Sequence, residues 1–428
     1  MENVLNSKKI PHSIHFMIKR RHRTSIVLSG GGARGAYEAG VINYVRTMLP
    51  PKLAQGIQFK IHTGTSVGAI NVAFMASTAH DPVRQGNDLV KLWKNILTDE
   101  IYSRGPFSLG RLFFRSSFGI FMNMIGMKGI LKPDDYHLHF QGLFDTKPFF
   151  HYLLKNCEWS RISKNIDAGL LDAISISATN IYTGQVELFL EKSPLLEHHS
   201  RFLLHQVKIS PRHVMASAAL PMLFPAVPIQ GVYYNDGGLR LTTPLAPAVS
   251  LGATKILLIG TKYTNSDPLP PIEKNKVPTL AGILGKFFHA ALQDRINTDR
   301  DQLTRINRIL DSIAKHASPE VFDSVCLEAK VSPIDIISFF PTYDVAKMVD
   351  QTLRKSFRGL KTFGVFERFI IKLLEIDINT GSDLLSYFLF EPSYIANLIE
   401  LGFEDARKKH DELVAFAESV ISDESKKN

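Results

Sequence analysis

The stretch Thr24–Leu49, TSIVLSGGGARGAYEAGVINYVRTML, decides how the rest of the chain is read. Thr24–Ser29 is a short aliphatic and β-branched run ending in glycines, the pattern of a buried strand. From Ala36 to Met48 the apolar residues fall at helical spacing, and Pro50-Pro51 stops the helix. Between the two lies Gly30-Gly31-Gly32-Ala33-Arg34-Gly35. A glycine-rich turn entering a helix leaves backbone N–H groups unpaired at the positive end of the helix dipole. That is an anion site, suited to a ligand phosphate or to an oxyanion developing during acyl transfer. The spacing also satisfies G-x-G-x-x-G, but the dinucleotide fingerprint wants an acid about 20 residues further on. No Asp or Glu occurs between Glu38 and Asp81, so dinucleotide binding is disfavoured.

The same strand–turn–helix pattern recurs at Gly64-Thr65-Ser66-Val67-Gly68, between a predicted strand Phe59–Thr63 and a small-residue helix Val67–Ala76. A G-x-S-x-G turn in that setting lifts the serine hydroxyl above the sheet as a nucleophile elbow. It also reads as a plain glycine turn with Ser66 capping the helix. Further on, Gly231–Asn235 is a predicted strand followed by Asp236-Gly237-Gly238. The aspartate there serves either as a turn former or as a carboxylate at the C-terminal edge of a sheet, where open α/β sheets place their sites. Asp172–Asn180 and Gln185–Leu190 flank a Thr183-Gly184 turn as a hairpin, and Lys255–Thr261 is another strand. Strands alternating with helices predict an α/β fold with a mostly parallel sheet covered on both faces.

A serine nucleophile needs a base and an oxyanion hole, and the three glycine clusters supply one candidate for each. At this point the chain resembles the patatin-like phospholipase family, whose pattern is G-G-G-x-R/K-G, G-x-S-x-G and D-G-G/A. A fourth block, Ala216-Ser217-Ala218-Ala219-Leu220-Pro221 with Phe224-Pro225 after it, is similar to the family's segment before the aspartate. The resemblance covers roughly residues 24–262. It implies a three-layer α/β/α sandwich and a Ser–Asp dyad, without metal or cofactor. Ser66 is then the nucleophile and Asp236 its base. The N–H groups of Gly31, Gly32 and Ala33, within the loop Gly30–Gly35, hold the oxyanion. Arg34 supports that loop or binds an anionic part of the substrate. Gly64, Gly68, Gly237 and Gly238 shape the two turns. The implied reaction is hydrolysis of acyl esters in phospholipids, lysophospholipids or neutral lipids through an acyl-serine. An acyltransferase shares that intermediate, and a silent lipid-binding module shares the fold.

The remaining composition bounds these readings. The chain has 428 residues and two cysteines, Cys157 and Cys326, which excludes a disulfide scaffold or a Cys-built zinc site. Net charge is +9, with Lys8, Lys9, Lys19, Arg20, Arg21 and Arg23 crowded into residues 1–23. That segment reads as a soluble basic tail or as a contact with an anionic membrane. It lacks the apolar run of a secretory signal, and no stretch is long and apolar enough to span a bilayer. The expectation is a cytoplasmic or peripheral membrane protein with a lipid substrate and no nucleic acid, export by another route being left open. Residues 263–428 read as mainly helical, packing on a catalytic domain at 24–262. Phe107–Leu131, rich in Phe and Met beside Arg104, Arg111 and Arg115, reads as a buried helix pair or as a lipid-docking lid. The order Ser…Asp…His makes His289, His316 and His410 formal alternatives as base. His62, His205 and His213 read as packing or surface residues.

Overall fold

In a computed structural model, the alternating apolar and amphipathic runs resolve into one mixed sheet with helices on both faces. The structure describes residues 23–101, 142, 144–196, 200, 202–263, 296–329, 331–356 and 385–425. Residues 1–22, Phe107–Leu131, the proline-rich stretch 264–278 and the segment Phe363–Glu375 lie outside the described residues.

The strands are β1 (Thr24–Leu28), β2 (Ile61–Thr65), β3 (Ala173–Asn180), β4 (Val186–Lys192), β5 (Leu203–Gln206), β6 (Val227–Ile229), β7 (Val232–Asp236), β8 (Lys255–Ile259) and β9 (Asp335–Phe339). They lie in the order β5-β4-β3-β2-β1-β8-β9, with β7 pairing β3, and β6 pairing β7. The central strands β1, β2, β3, β8 and β9 pair in parallel, while β4 and β7 run antiparallel to β3. β1, β2 and β8 are buried at every residue, which is why they read as unbroken apolar or small-residue runs rather than as an alternation.

The helices used below are α1 (Gly35–Thr47), α2 (Val67–Ser77), α3 (Pro82–Asn95), α4 (Lys147–Asn156), α5 (Pro211–Ser217), α6 (Leu245–Ser250) and α7 (Pro392–Lys408). One face of the sheet, with Ile26, Leu28, Ile176 and Leu257, packs on α1, α2, α3 and α7. The other, with Val27, Ile61, Ala173 and Leu258, packs on α6. Alternate residues of each strand thus feed two cores. The result is the α/β/α sandwich that the sequence predicts.

Some details differ from the expectation, among them strands β5 and β6, which the sequence reading did not include. β2 starts and ends two residues late, because Leu28 pairs Gly64 and Ser177 pairs Thr65 across the two neighbouring strands. The ladder carries the strand through a glycine that reads as turn. β7 ends on Asp236 itself and takes part in a hairpin with β6. The region after residue 262 is not all helix: Asp335–Phe339 is a strand in register with β8, Ile256 opposite Ile336 and Ile259 opposite Phe339.

Candidate active site

Ser66 sits alone between the end of β2 and the first residue of α2, at φ 53° and ψ −121°. A non-glycine residue in that region costs about 1–3 kcal/mol and persists only where its surroundings impose it. Here they do. The Ser66 N–H donates to Ser217 Oγ at 2.8 Å, and the Ser217 hydroxyl donates to the Ser177 carbonyl at 2.6 Å. The glycines let strand and helix approach: a methyl on Gly64 would stand 2.3 Å from the Gly68 carbonyl oxygen, and one on Gly68 2.3 Å from that of Leu28. The capping reading of Ser66 does not hold, since its side chain makes no bond to the helix. The hydroxyl instead donates to Asp236 Oδ2 at 2.7 Å.

Sheet register explains this meeting. β3 pairs β4 along one edge through Thr179. Its other edge carries β2 as far as Ser177 opposite Thr65, and then β7 from Ala178 opposite Asp236. β2 and β7 therefore run toward each other in one lane and end nose to nose. Ser66 directly follows the C-terminal end of β2, and Asp236 is the last residue of β7. The Asp236 N–H donates to the Ala219 carbonyl at 2.9 Å, and its own carbonyl accepts from Thr179 Oγ1 at 2.9 Å. Its Oδ1 accepts from the Gly238 N–H at 2.6 Å, as a turn former does, while its Oδ2 faces Ser66. Burial pushes the Asp236 carboxyl up to about 7, against the lowering effect of the bonds from Ser66 and Gly238.

The loop Gly30–Gly35 lies against the serine: a methyl on Gly30 would stand 3.2 Å from Ser66 Cβ. Its amides are not all available. Gly30 N–H donates to the Thr242 carbonyl at 2.9 Å and Ala33 N–H to the Tyr387 carbonyl at 2.9 Å. Arg34 and Gly35 N–H turn back onto Gly31, Gly32 and Ala33 carbonyls. Among the described residues, Gly31 and Gly32 keep unbonded N–H groups. This corrects the expectation for Ala33, whose amide the distant Tyr387 occupies. Gly32 adopts φ 57°, and a methyl there would stand 2.1 Å from the Tyr387 oxygen. Arg34 is buried, donates from Nε to Ser386 Oγ at 2.7 Å, and lies 4.0 Å from the centre of the Tyr387 ring. It supports the loop; it does not reach outward.

Beside Gly32 and Ser66 opens a cleft of about 630 Å³, counting the space at its mouth, walled by Trp93, Phe149, Leu220, Phe388 and Phe390 among others. Sequence reading missed Asn71, which donates to the Gly35 carbonyl at 3.1 Å and to Glu38 Oε2 at 2.7 Å, and accepts from Trp93 Nε1 at 2.9 Å. One amide thus joins the loop Gly30–Gly35, the helix α2 and the cleft wall. Its only sequence signal is a polar residue inside an otherwise apolar helix. Glu38 is fully buried, and desolvation holds its carboxyl well above the usual range. Among the described residues, the histidines that the sequence offers as bases lie elsewhere. His62 and His213 are buried and pushed down to about 4 by desolvation. His205 bonds Glu187 at 2.7 Å, His316 bonds the Ser312 carbonyl and His410 bonds Tyr44. His289 lies outside the described residues. Among the described residues no group of three or more His, Cys, Asp or Glu is placed to hold a metal ion, and no helix is long and apolar enough to cross a membrane.

A serine hydroxyl bonded to a buried carboxylate, beside free amides and an apolar cleft, is equipped for acyl transfer. The profile of the family described as patatin-like phospholipase matches residues 26–249, over half of the chain. The chain belongs to the patatin-like phospholipase family. No curated protein matches it. Among solved structures this patatin-like chain is similar to VipD from Legionella pneumophila, at 14% identity over 93% of this chain and 88% of that one, with a TM-score of 0.31. It is also similar to human GIVD cytosolic phospholipase A2 in complex with methyl gamma-linolenyl fluorophosphonate, at 12% identity, covering 95% of this chain and 60% of that one, with a TM-score of 0.43. A third similarity is to the ExoU–SpcU complex from the type III secretion system of Pseudomonas aeruginosa, at 15% identity, 86% and 68% coverage and a TM-score of 0.23.

Proposed function

We propose that this protein is a serine lipid acyl hydrolase in which Ser66 and Asp236 act as a dyad. Family membership supports lipid hydrolysis. The observation that carries the finer reading is the 2.7 Å bond from Ser66 Oγ to Asp236 Oδ2 beside an apolar cleft. The acyl chain of a phospholipid or lysophospholipid enters the cleft, which places its ester carbonyl at Ser66. Ser66 Oγ attacks the carbonyl carbon as its proton passes to Asp236. The N–H groups of Gly31 and Gly32 hold the tetrahedral oxyanion. Collapse breaks the ester C–O bond, and Asp236 returns the proton to the departing alcohol. Water then attacks acyl-Ser66, again through Asp236, and releases the fatty acid. An ordinary aspartate is a weak base toward a hydroxyl; the raised Asp236 is better matched. Because such substrates reside in bilayers, the surplus positive charge of +9 supports peripheral contact with anionic membranes. Residues 24–262 carry the reacting groups, and the later region supports them.

Steady-state hydrolysis of a short-chain chromogenic ester, with circular dichroism as a folding check, tests the dyad. Ser66→Ala and Asp236→Asn are each expected to lose roughly 10³-fold or more in kcat while remaining folded. A folded Ser66→Ala variant that retains the wild-type rate would sink the reading.

A further inference from the structure

Several elements bring side chains to the cleft, and one of them comes from far along the chain. Leu385–Phe390 leads into α7, and Tyr387, Phe388 and Phe390 line the cleft together with Gly32 and Ser66. The Phe390 ring lies parallel to Trp93, within 9°, with centroids 6.5 Å apart. Trp93 is fixed from behind by its bond to Asn71. Turning it would strand a buried polar group. The Tyr152 hydroxyl is likewise engaged, donating to the Leu92 carbonyl at 2.7 Å. Away from Ser66 and Gly32 the lining is mostly apolar and suits hydrocarbon.

The segment that bears Phe390 is also bolted to the oxyanion loop. Ser386 accepts from Arg34 Nε, the Tyr387 carbonyl accepts from Ala33 N–H, and the Arg34 guanidinium lies over the Tyr387 ring. The point at which an ester carbonyl is held and the wall that meets its chain are therefore one connected body. A chain whose carbonyl is held at Ser66 therefore meets the Phe390–Trp93 pair as a fixed part of the cleft wall.

We propose that Leu385–Phe390 selects the length of the acyl chain, with Phe390 as the specificity-determining residue. The proposal rests on the reading of Ser66 as the site of acyl transfer. Each methylene admitted to or excluded from apolar contact changes affinity roughly fourfold. A smaller side chain at 390 lengthens the accepted chain and a larger one shortens it.

The test compares full-length wild type, Phe390→Ala and Phe390→Trp on p-nitrophenyl octanoate and hexadecanoate. The readout is the ratio of kcat/KM for the two esters, which a general loss of fold or rate does not move. Phe390→Ala is expected to raise the ratio for the longer chain at least fivefold and Phe390→Trp to lower it at least fivefold. Phe390→Leu replaces the alanine variant if that one does not fold. Any other pattern, including a uniform loss on both esters, overturns the proposal. A second measurement separates this from failure of the hydrolase reading. On a Ser66→Ala background, displacement of a fluorescent dodecanoate by octanoic and hexadecanoic acids reads length preference without turnover. The same opposed shifts are required there; if wild type hydrolyses no ester yet these shifts appear, only the hydrolase reading has failed.

Discussion

Asp236 carries two consequences that pull against each other. As a base it must be ionised, and its carboxyl has been pushed up to about 7 by burial. The rate constant kcat/KM should therefore fall as pH drops through about 7, giving an acid limb well above the range of an ordinary aspartate; a profile flat down to pH 5 would contradict the assignment. The same shift weakens the fold. A carboxyl raised in the folded state binds its proton more tightly there than in the unfolded chain. Folding is thus unpenalised below the unfolded value near 4, loses stability as pH rises from there to about 7, and carries the full cost above it. For a group this buried the cost is on the order of a few kcal/mol. Asp236→Asn should accordingly raise Tm at pH 8, and the gain should vanish near pH 4. Thermal melts at the two pH values check the sign. Ser66 stores a smaller debt in its backbone, held by Ser217. Ser217→Ala leaves the Ser66 N–H without its buried partner and should cost about 1–3 kcal/mol in denaturant unfolding. It should lower kcat as well, because the elbow relaxes; an unchanged kcat would show that Ser217 has no part in holding Ser66.

At the scale of elements, the site is made where two strands stop. Each half was legible from its own residues. Gly64–Gly68 specifies a tight strand-to-helix turn, and Asp236-Gly237-Gly238 specifies a turn with a carboxylate at its start, because both depend on contacts a few positions apart. Their collision was not legible. It follows from β3 being long enough to carry β2 on its lower part and β7 on its upper part, a register that no local pattern states. The amides of the loop Gly30–Gly35 show the same limit. Gly31, Gly32 and Ala33 read as free donors, yet the Ala33 amide is bonded to the Tyr387 carbonyl, and the Arg34 side chain reaches Ser386 at a separation of 352 positions. β9 was hidden for a similar reason. Five residues beside long helices give no periodicity to read, and the partner that makes them a strand lies at Lys255–Ile259.

For the whole molecule, these long-range contacts decide whether the reading of a catalytic domain at 24–262 describes a unit that stands alone. β9 covers the edge of β8, which otherwise presents a buried apolar strand with unpaired N–H and C=O groups. α7 lies along α1, and the approach is close enough that a methyl on Gly40 would stand 2.0 Å from the Ile399 carbonyl oxygen and one on Gly402 2.1 Å from that of Tyr37. Asp405 on α7 accepts from the Tyr37 hydroxyl and from Thr342 Oγ1 at 2.5 Å, tying both elements to the segment after β9. A chain cut after Lys262 loses the neighbour of β8, the cover of α1 and the clamp on Arg34 together. Each loss exposes apolar or unpaired groups that the remaining part has no means of burying. Such a chain is expected to aggregate on expression and, where it is recovered, to lack the near-ultraviolet dichroism and the cooperative melt of the full chain. A soluble 1–262 fragment with a sharp thermal transition and wild-type ester hydrolysis would show the opposite: that the later region is an accessory and that the oxyanion loop keeps its shape without Ser386 and Tyr387.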